Sequence, residues 1–151
     1  MPVRVGWLIP QRIVVVESRG VVTDEEFFEL DKRGLEYLKK SPAPKVYVLF
    51  DNTHLTNQPG FVTQTKAKVG KHEKLGMSIV VGATNPFLKF VSSAATQFLG
   101  IRLRFVDDME TACDILQSLI TDRTLPPIKE VDWIEHINWE TKDSPAKPGR
   151  K

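Results

Sequence analysis

The sequence predicts an α/β domain: two leading strands, then helices and strands in strict alternation around a mixed, mostly parallel sheet. Three observations carry this. Short runs rich in β-branched residues ("VRVGWLI", "RIVVVESRG", "KVYVLFD", "MSIVVGA", "IRLRFV") are separated by longer segments of helical character. Start and stop signals bound those helices. Only Pro10 and Gln11 part the first two strands, which makes them a hairpin. The order is β-β-α-β-α-β-α-β-α plus a C-terminal extension. Its three strand–helix–strand crossovers require parallel strands with right-handed connections, and the hairpin adds an antiparallel edge.

Each element has a local reason. Gly20 closes the second strand. Thr23 with Glu26 three residues later forms a capping box, and Asp24, Glu25 and Glu26 suit the positive end of the helix dipole. Phe27, Leu30 and Leu38 lie near one stripe of this first helix. Lys39 and Lys40 close it, and Pro42 and Pro44 prevent its continuation. "KVYVLFD" is short and apolar, as in a strand buried on both faces. The second helix is expected from near Gly60 to Leu75 or Gly76. Pro86 opens a third helix, with Phe87, Phe90, Val91, Ala94 and Phe98 on one face and Gly100 as its stop. The final helix, "DDMETACDILQSLI", carries Met109, Ala112, Cys113, Leu116 and Ile120 as its apolar stripe. Residues 1–121 read as one domain. Residues 122–151 read as an extension that is disordered past about Thr141.

Composition narrows the class. The chain has 151 residues, 41% hydrophobic and 26% charged, enough for one core. A formal net charge of +2 builds no field for nucleic acid or an anionic membrane. The single cysteine, Cys113, makes no internal disulfide and reads as a small core residue. No run approaches the roughly 20 apolar residues of a membrane span. "MPVRVGWLIPQR" lacks a signal peptide's apolar core and cleavage site, so a cytoplasmic protein is expected.

The hairpin "RVGWLIPQRIVVVESRG", the capped helix "GVVTDEEFFEL", the strands "KVYVLFD" and "MSIVVGA", and the closing "RLRFVDDMETACDIL" together resemble the STAS/SpoIIAA-like fold. That family includes bacterial anti-sigma-factor antagonists and is related to CRAL-TRIO-like lipid binders. The resemblance spans roughly Val3 to Ile120. It implies a regulatory module whose working site follows the third strand, where a serine at the start of the second helix is phosphorylated. Asp51 matches the strand-end aspartate of that pattern and Gly60 its glycine. Asn57, Gln58 and Pro59 stand where the phosphoacceptor serine belongs, and the nearest hydroxyls are Thr53, Thr56, Thr63 and Thr65.

The loop after that strand is the first candidate site: Asp51, Asn52, Thr53, His54, Thr56, Asn57 and Gly60. Asp51 and His54 could pair and activate a hydroxyl. The same residues also suit turn chemistry or a binding surface. The second helix carries Lys66, Lys68, Lys71 and Lys74 against Glu73 alone. This is a solvated lysine face or an anion site, although neither this stretch nor "GATNP" has the glycines of a phosphate loop. The third helix is apolar on more than one side. Burial under the extension, a homodimer contact and a hydrophobic groove lined by Phe87, Phe90, Val91 and Phe98 all fit. Arg102 and Arg104 share a face as edge charges or pocket cations. Trp133, Ile134, Ile137 and Trp139 could clamp this chain or a neighbour. Asp132, Glu135, His136 and Glu140 meet no metal-ligand spacing rule. The expected function is a non-catalytic protein-interaction or regulatory module that self-associates as a homodimer, with no cofactor and no metal. The alternative is a small hydrophobic or anionic ligand binder of CRAL-TRIO type.

Overall fold

The computed structural model describes residues 3–9, 11–83, 85–119 and 137–139. Strand β1 (Val3–Ile9) pairs antiparallel with β2 (Ile13–Val21). The turn between them holds Gln11 at φ 66, an uncommon conformation for a side-chain-bearing residue. The buried Ser41 hydroxyl donates to the Gln11 carbonyl at 2.6 Å and pins it. Helix α1 (Asp24–Lys40) begins with both halves of the capping box: Glu26 N donates to Thr23 Oγ1, and Thr23 N to Glu26 Oε1.

There follow β3 (Val46–Asn57), α2 (Phe61–Gln64), a single 3-10 turn at Val69–Lys71, β4 (Leu75–Val81) and α3 (Pro86–Leu99). The chain continues with β5 (Leu103–Val106), α4 (Met109–Leu119) and β6 (Asn138–Trp139). The sheet order is β5-β4-β3-β2-β1-β6. Strands β2 to β5 are mutually parallel, and β1 is antiparallel to both of its neighbours.

Both sheet faces are covered, as the apolar runs require. Alternate residues of β2 go to opposite sides. Ile13 and Val15 join Leu49, Ile79 and Val81 under Ala112, Cys113 and Leu116 of α4. Val14 and Val16 join Val48 under Leu38, Phe27 and Leu30 of α1. Cys113 is thus a core residue, with its thiol buried.

Three expectations change. The second helix is one turn long. The segment from Phe61 to Leu75 has no sustained apolar stripe, and Gly60 offers no side-chain cap. The chain instead turns at Lys68 and Val69, whose amides donate to the Asp31 carboxylate of α1 at 2.9–3.0 Å. The loop after "KVYVLF" is largely strand. Asp51 to Asn57 continue β3 alongside the end of β2, because ladder bonds need only backbone groups and tolerate polar side chains facing water. The extension adds a sixth strand. Ile137 and Trp139 pack against the α4-side core, and the Arg4 guanidinium lies 4.1 Å above the Trp139 ring. This part of the tryptophan segment folds on its own chain. Trp133, Ile134 and the expected disordered end lie outside the described residues, as do Asp132, Glu135, His136 and Glu140.

Candidate functional site

The extended end of β3 is irregular where its polar residues gather. From Glu17↔Asp51 to Arg19↔His54, and again from Gly20↔Leu55 to Val21↔Asn57, β3 holds one residue more than β2. Extra residues of this kind re-aim side chains at sheet ends. Asp51 fills the first irregularity: its carboxylate accepts from Thr53 N at 3.1 Å and from Thr53 Oγ1 at 2.6 Å. His54 and Thr56 are exposed. Among the described residues no hydrogen bond joins His54 to Asp51, so the acid–histidine pair is not assembled. Asn57 Oδ1 accepts from Gln58 N, and Gly60 is exposed at the start of α2. The chemistry of this stretch is that of a fixed polar edge.

Beside it, Glu17 accepts from Arg4 Nε at 2.9 Å and from Arg19 Nε at 3.2 Å. Burial favours its neutral form, but the hydrogen bonds and charges of Arg19 and Arg4 outweigh this. They hold the carboxyl below its ordinary value of 4.5. A depressed acid contributes stability above its ordinary pKa, and that contribution is lost as pH falls through the folded value. Urea midpoints measured from neutral pH down to about pH 3 should therefore show a steeper acid decline for the native chain than for Glu17→Gln. Parallel declines would mean that the two arginines do not hold Glu17 charged.

Helix α3 is rotated from the sequence expectation: Val91 is buried as expected, but its companions are Leu88 and Ala95 rather than the phenylalanines. Asn85 caps it, accepting from Phe87 N and Leu88 N, with Pro86 at its first position. Its buried residues are Leu88, Val91 and Ala95, whereas Phe87, Phe90 and Phe98 are each 70% exposed. Leu88, Val91 and Ala95 recur every three or four residues, and so do Phe87, Phe90, Ala94 and Phe98, so periodicity alone could not choose between them. The face with small Ala95 lies against the sheet. The phenylalanines therefore do not line an inner groove. They form an outer apolar surface continued by Phe61, whose ring stands 6.0 Å from that of Phe98, and by exposed Val62.

An inner space exists all the same. About 180 Å³ lies between α1, α3 and the sheet, walled by residues such as Val16, Leu30, Val48, Val80 and Leu99. Of the predicted site residues, only Asn52 reaches it. Gln58 and Gln64, from the expected loop and the start of the second helix, also line it, together with Ser78 and Ser92, which sequence reasoning assigned to no site. The available signal was the serine inside the apolar strand "MSIVVGA". Arg102 lines a separate depression of about 200 Å³ at the other end of the strands, with Lys45 and Tyr47, while Arg104 is exposed on edge strand β5. Among the described residues no cluster of three or more metal-ligating side chains occurs, and no helix is long and apolar enough to cross a membrane.

No protein-family model matches the chain, and no curated protein is significantly similar. Solved structures are similar to it in fold. One is an uncharacterised protein of the DUF3478 family with a SpoIIAA-like fold from Shewanella loihica PV-4. It is 17% identical with a TM-score of 0.53, over 69% of this chain and 83% of that one. Another is the anti-sigma factor antagonist SpoIIAA in its unphosphorylated form. It is 13% identical with a TM-score of 0.54, over 78% of this chain and 99% of that one. The chain has the SpoIIAA-like fold.

Proposed function

From this fold we propose a non-catalytic regulatory module of STAS type that works by protein contact and self-associates through the phenylalanine face of α3. The exposure of Phe87, Phe90 and Phe98 beside Phe61 carries the reading. Contiguous apolar surface of this kind marks interaction sites. A phenylalanine brings roughly 150–250 Å², so two such faces approach the ~1,200 Å² at which specific interfaces begin. Lys89 is the only charged residue of α3, so two copies can meet there with little repulsion. The Asp51–Gly60 edge is the surface proposed for a different protein partner. Its hydroxyls are threonines, and Asn57, Gln58 and Pro59 occupy the place of a phosphoacceptor serine. A cytoplasmic setting suits Cys113, the chain's single cysteine, which is held as a buried thiol.

Native mass spectrometry at micromolar concentration tests self-association. The native chain should give the mass of two copies. The triple variant Phe87→Ser, Phe90→Ser, Phe98→Ser should give one, with association weakened about 100-fold or more and the thermal midpoint retained. A monomeric native chain would sink the proposal.

A second reading, binding of a small ligand, is favoured by one observation: the cavity between the sheet and the α1 and α3 helices.

A further inference from the structure

We infer that this cavity takes a small uncharged molecule of about one aromatic ring that carries a single hydrogen-bonding group, held by Ser78 and Gln64. The inference rests on the ligand-binding reading and adds its chemistry. Size sets the first limit. The volume is about 180 Å³, and an apolar protein cavity of about 150 Å³ accepts benzene or xenon. The acyl chain of a membrane lipid would overfill it.

Charge sets the second limit. Among the described lining residues Asp31 alone is charged, and its carboxylate is occupied by the amides of Lys68 and Val69. Among the described residues no lysine or arginine lines the space, so a bound anion would lie buried without a cationic partner from them. The anionic half of the ligand expectation therefore has no support here.

Two polar side chains set the third. Ser78 is 4% exposed, in the middle of β4 opposite Val48 and Leu103, which also line the cavity. Its amide donates to the Arg102 carbonyl at 2.8 Å, but its hydroxyl bonds to none of the described residues. Gln64 is 8% exposed; its Nε2 donates to the Pro59 carbonyl at 2.7 Å, and its Oε1 receives no donor from the described residues. Buried polar groups in native proteins are normally satisfied. A ligand hydroxyl could accept from Ser78 and donate to Gln64, completing both. The route in is marked by Asn52, Gln58 and Ser92, which line both the cavity and a smaller cleft towards Asn85 and Phe105. There Gln58 Nε2 donates to Ser92 Oγ at 2.7 Å and ties the end of β3 to α3.

Phenol and benzene are the probes, titrated into the full chain and followed by amide resonances in NMR. Phenol should shift the amides around Ser78, Ala95 and Leu103. Ser78→Ala should weaken phenol about fivefold and leave benzene unchanged. Ala95→Leu should fill the space and abolish both; if it does not fold, the milder Ala95→Val should weaken both. If both probes bind but Ser78→Ala does not distinguish them, the polar anchoring is wrong and the ligand-binding reading stands. Silence from both probes, as from a cavity held by ordered water, would overturn both. Shifts confined to the Phe87–Phe98 surface would do the same.

Discussion

Leu49→Ala is expected to cost about 3 kcal/mol of folding stability, within the 2–5 kcal/mol typical of buried leucines. Leu49 is completely buried on β3, an interior strand of the sheet. Its side chain lies on the face shared by Ile13, Ile79 and Leu116, so truncation removes apolar contact from both the sheet and α4. The neighbours β2 and β4 are held by ladder bonds along the same stretch, with Leu49 opposite Val15 and Ile79. They cannot close over the void, and the cavity cost adds to the lost transfer energy. Domains of this kind are stable by only 5–15 kcal/mol, so the loss is a large share. Urea unfolding followed by circular dichroism measures it. A loss below about 1 kcal/mol would mean that the α4 layer relaxes freely and is not packed as described.

Gly82→Ala is expected to cost a comparable amount, roughly 3 kcal/mol, for a different reason. Gly82 follows β4 with φ +77, a region that a Cβ makes unfavourable by about 1–2 kcal/mol. An added Cβ would also lie 2.8 Å from the Cα of Thr53, a backbone atom that cannot swing aside. Thr53 is the residue whose amide and hydroxyl hold Asp51. The substitution therefore presses on the polar edge itself, and amide resonances from Asp51 to Asn57 should move with the stability loss. Gly20 and Gly100 provide the control. Both have positive φ, but an added Cβ at either meets nothing within 4 Å. Alanine there should cost only about 1 kcal/mol. Equal losses at all three positions would show that the Thr53 contact contributes nothing.

Local signals proved sufficient for the scaffold. The capping box of Thr23 and Glu26, the Pro86 helix start, the Gly100 stop and the hairpin at Gln11 depend on residues a few positions apart. So does the β-branched character of "IVVV" and "SIVV". For these, sequence neighbours are also spatial neighbours, and the element order follows.

The candidate site was less legible. Asp51 to Asn57 look like a loop because their side chains are polar. They form strand because the end of β2, more than thirty residues earlier, supplies backbone partners. The outward turn of Phe87, Phe90 and Phe98 came from competition between two equally periodic stripes, settled by which one fits against the sheet. The space in front of Ser78 belongs to no segment at all; it is what α1, α3 and the strands leave unfilled. The sequence by itself determined which elements form and in what order, because caps, turns and apolar alternation act over a few residues. Only the tertiary structure decided which helix face meets water, which polar residues join a ladder and where a cavity stays open, because those depend on packing between segments far apart in the chain.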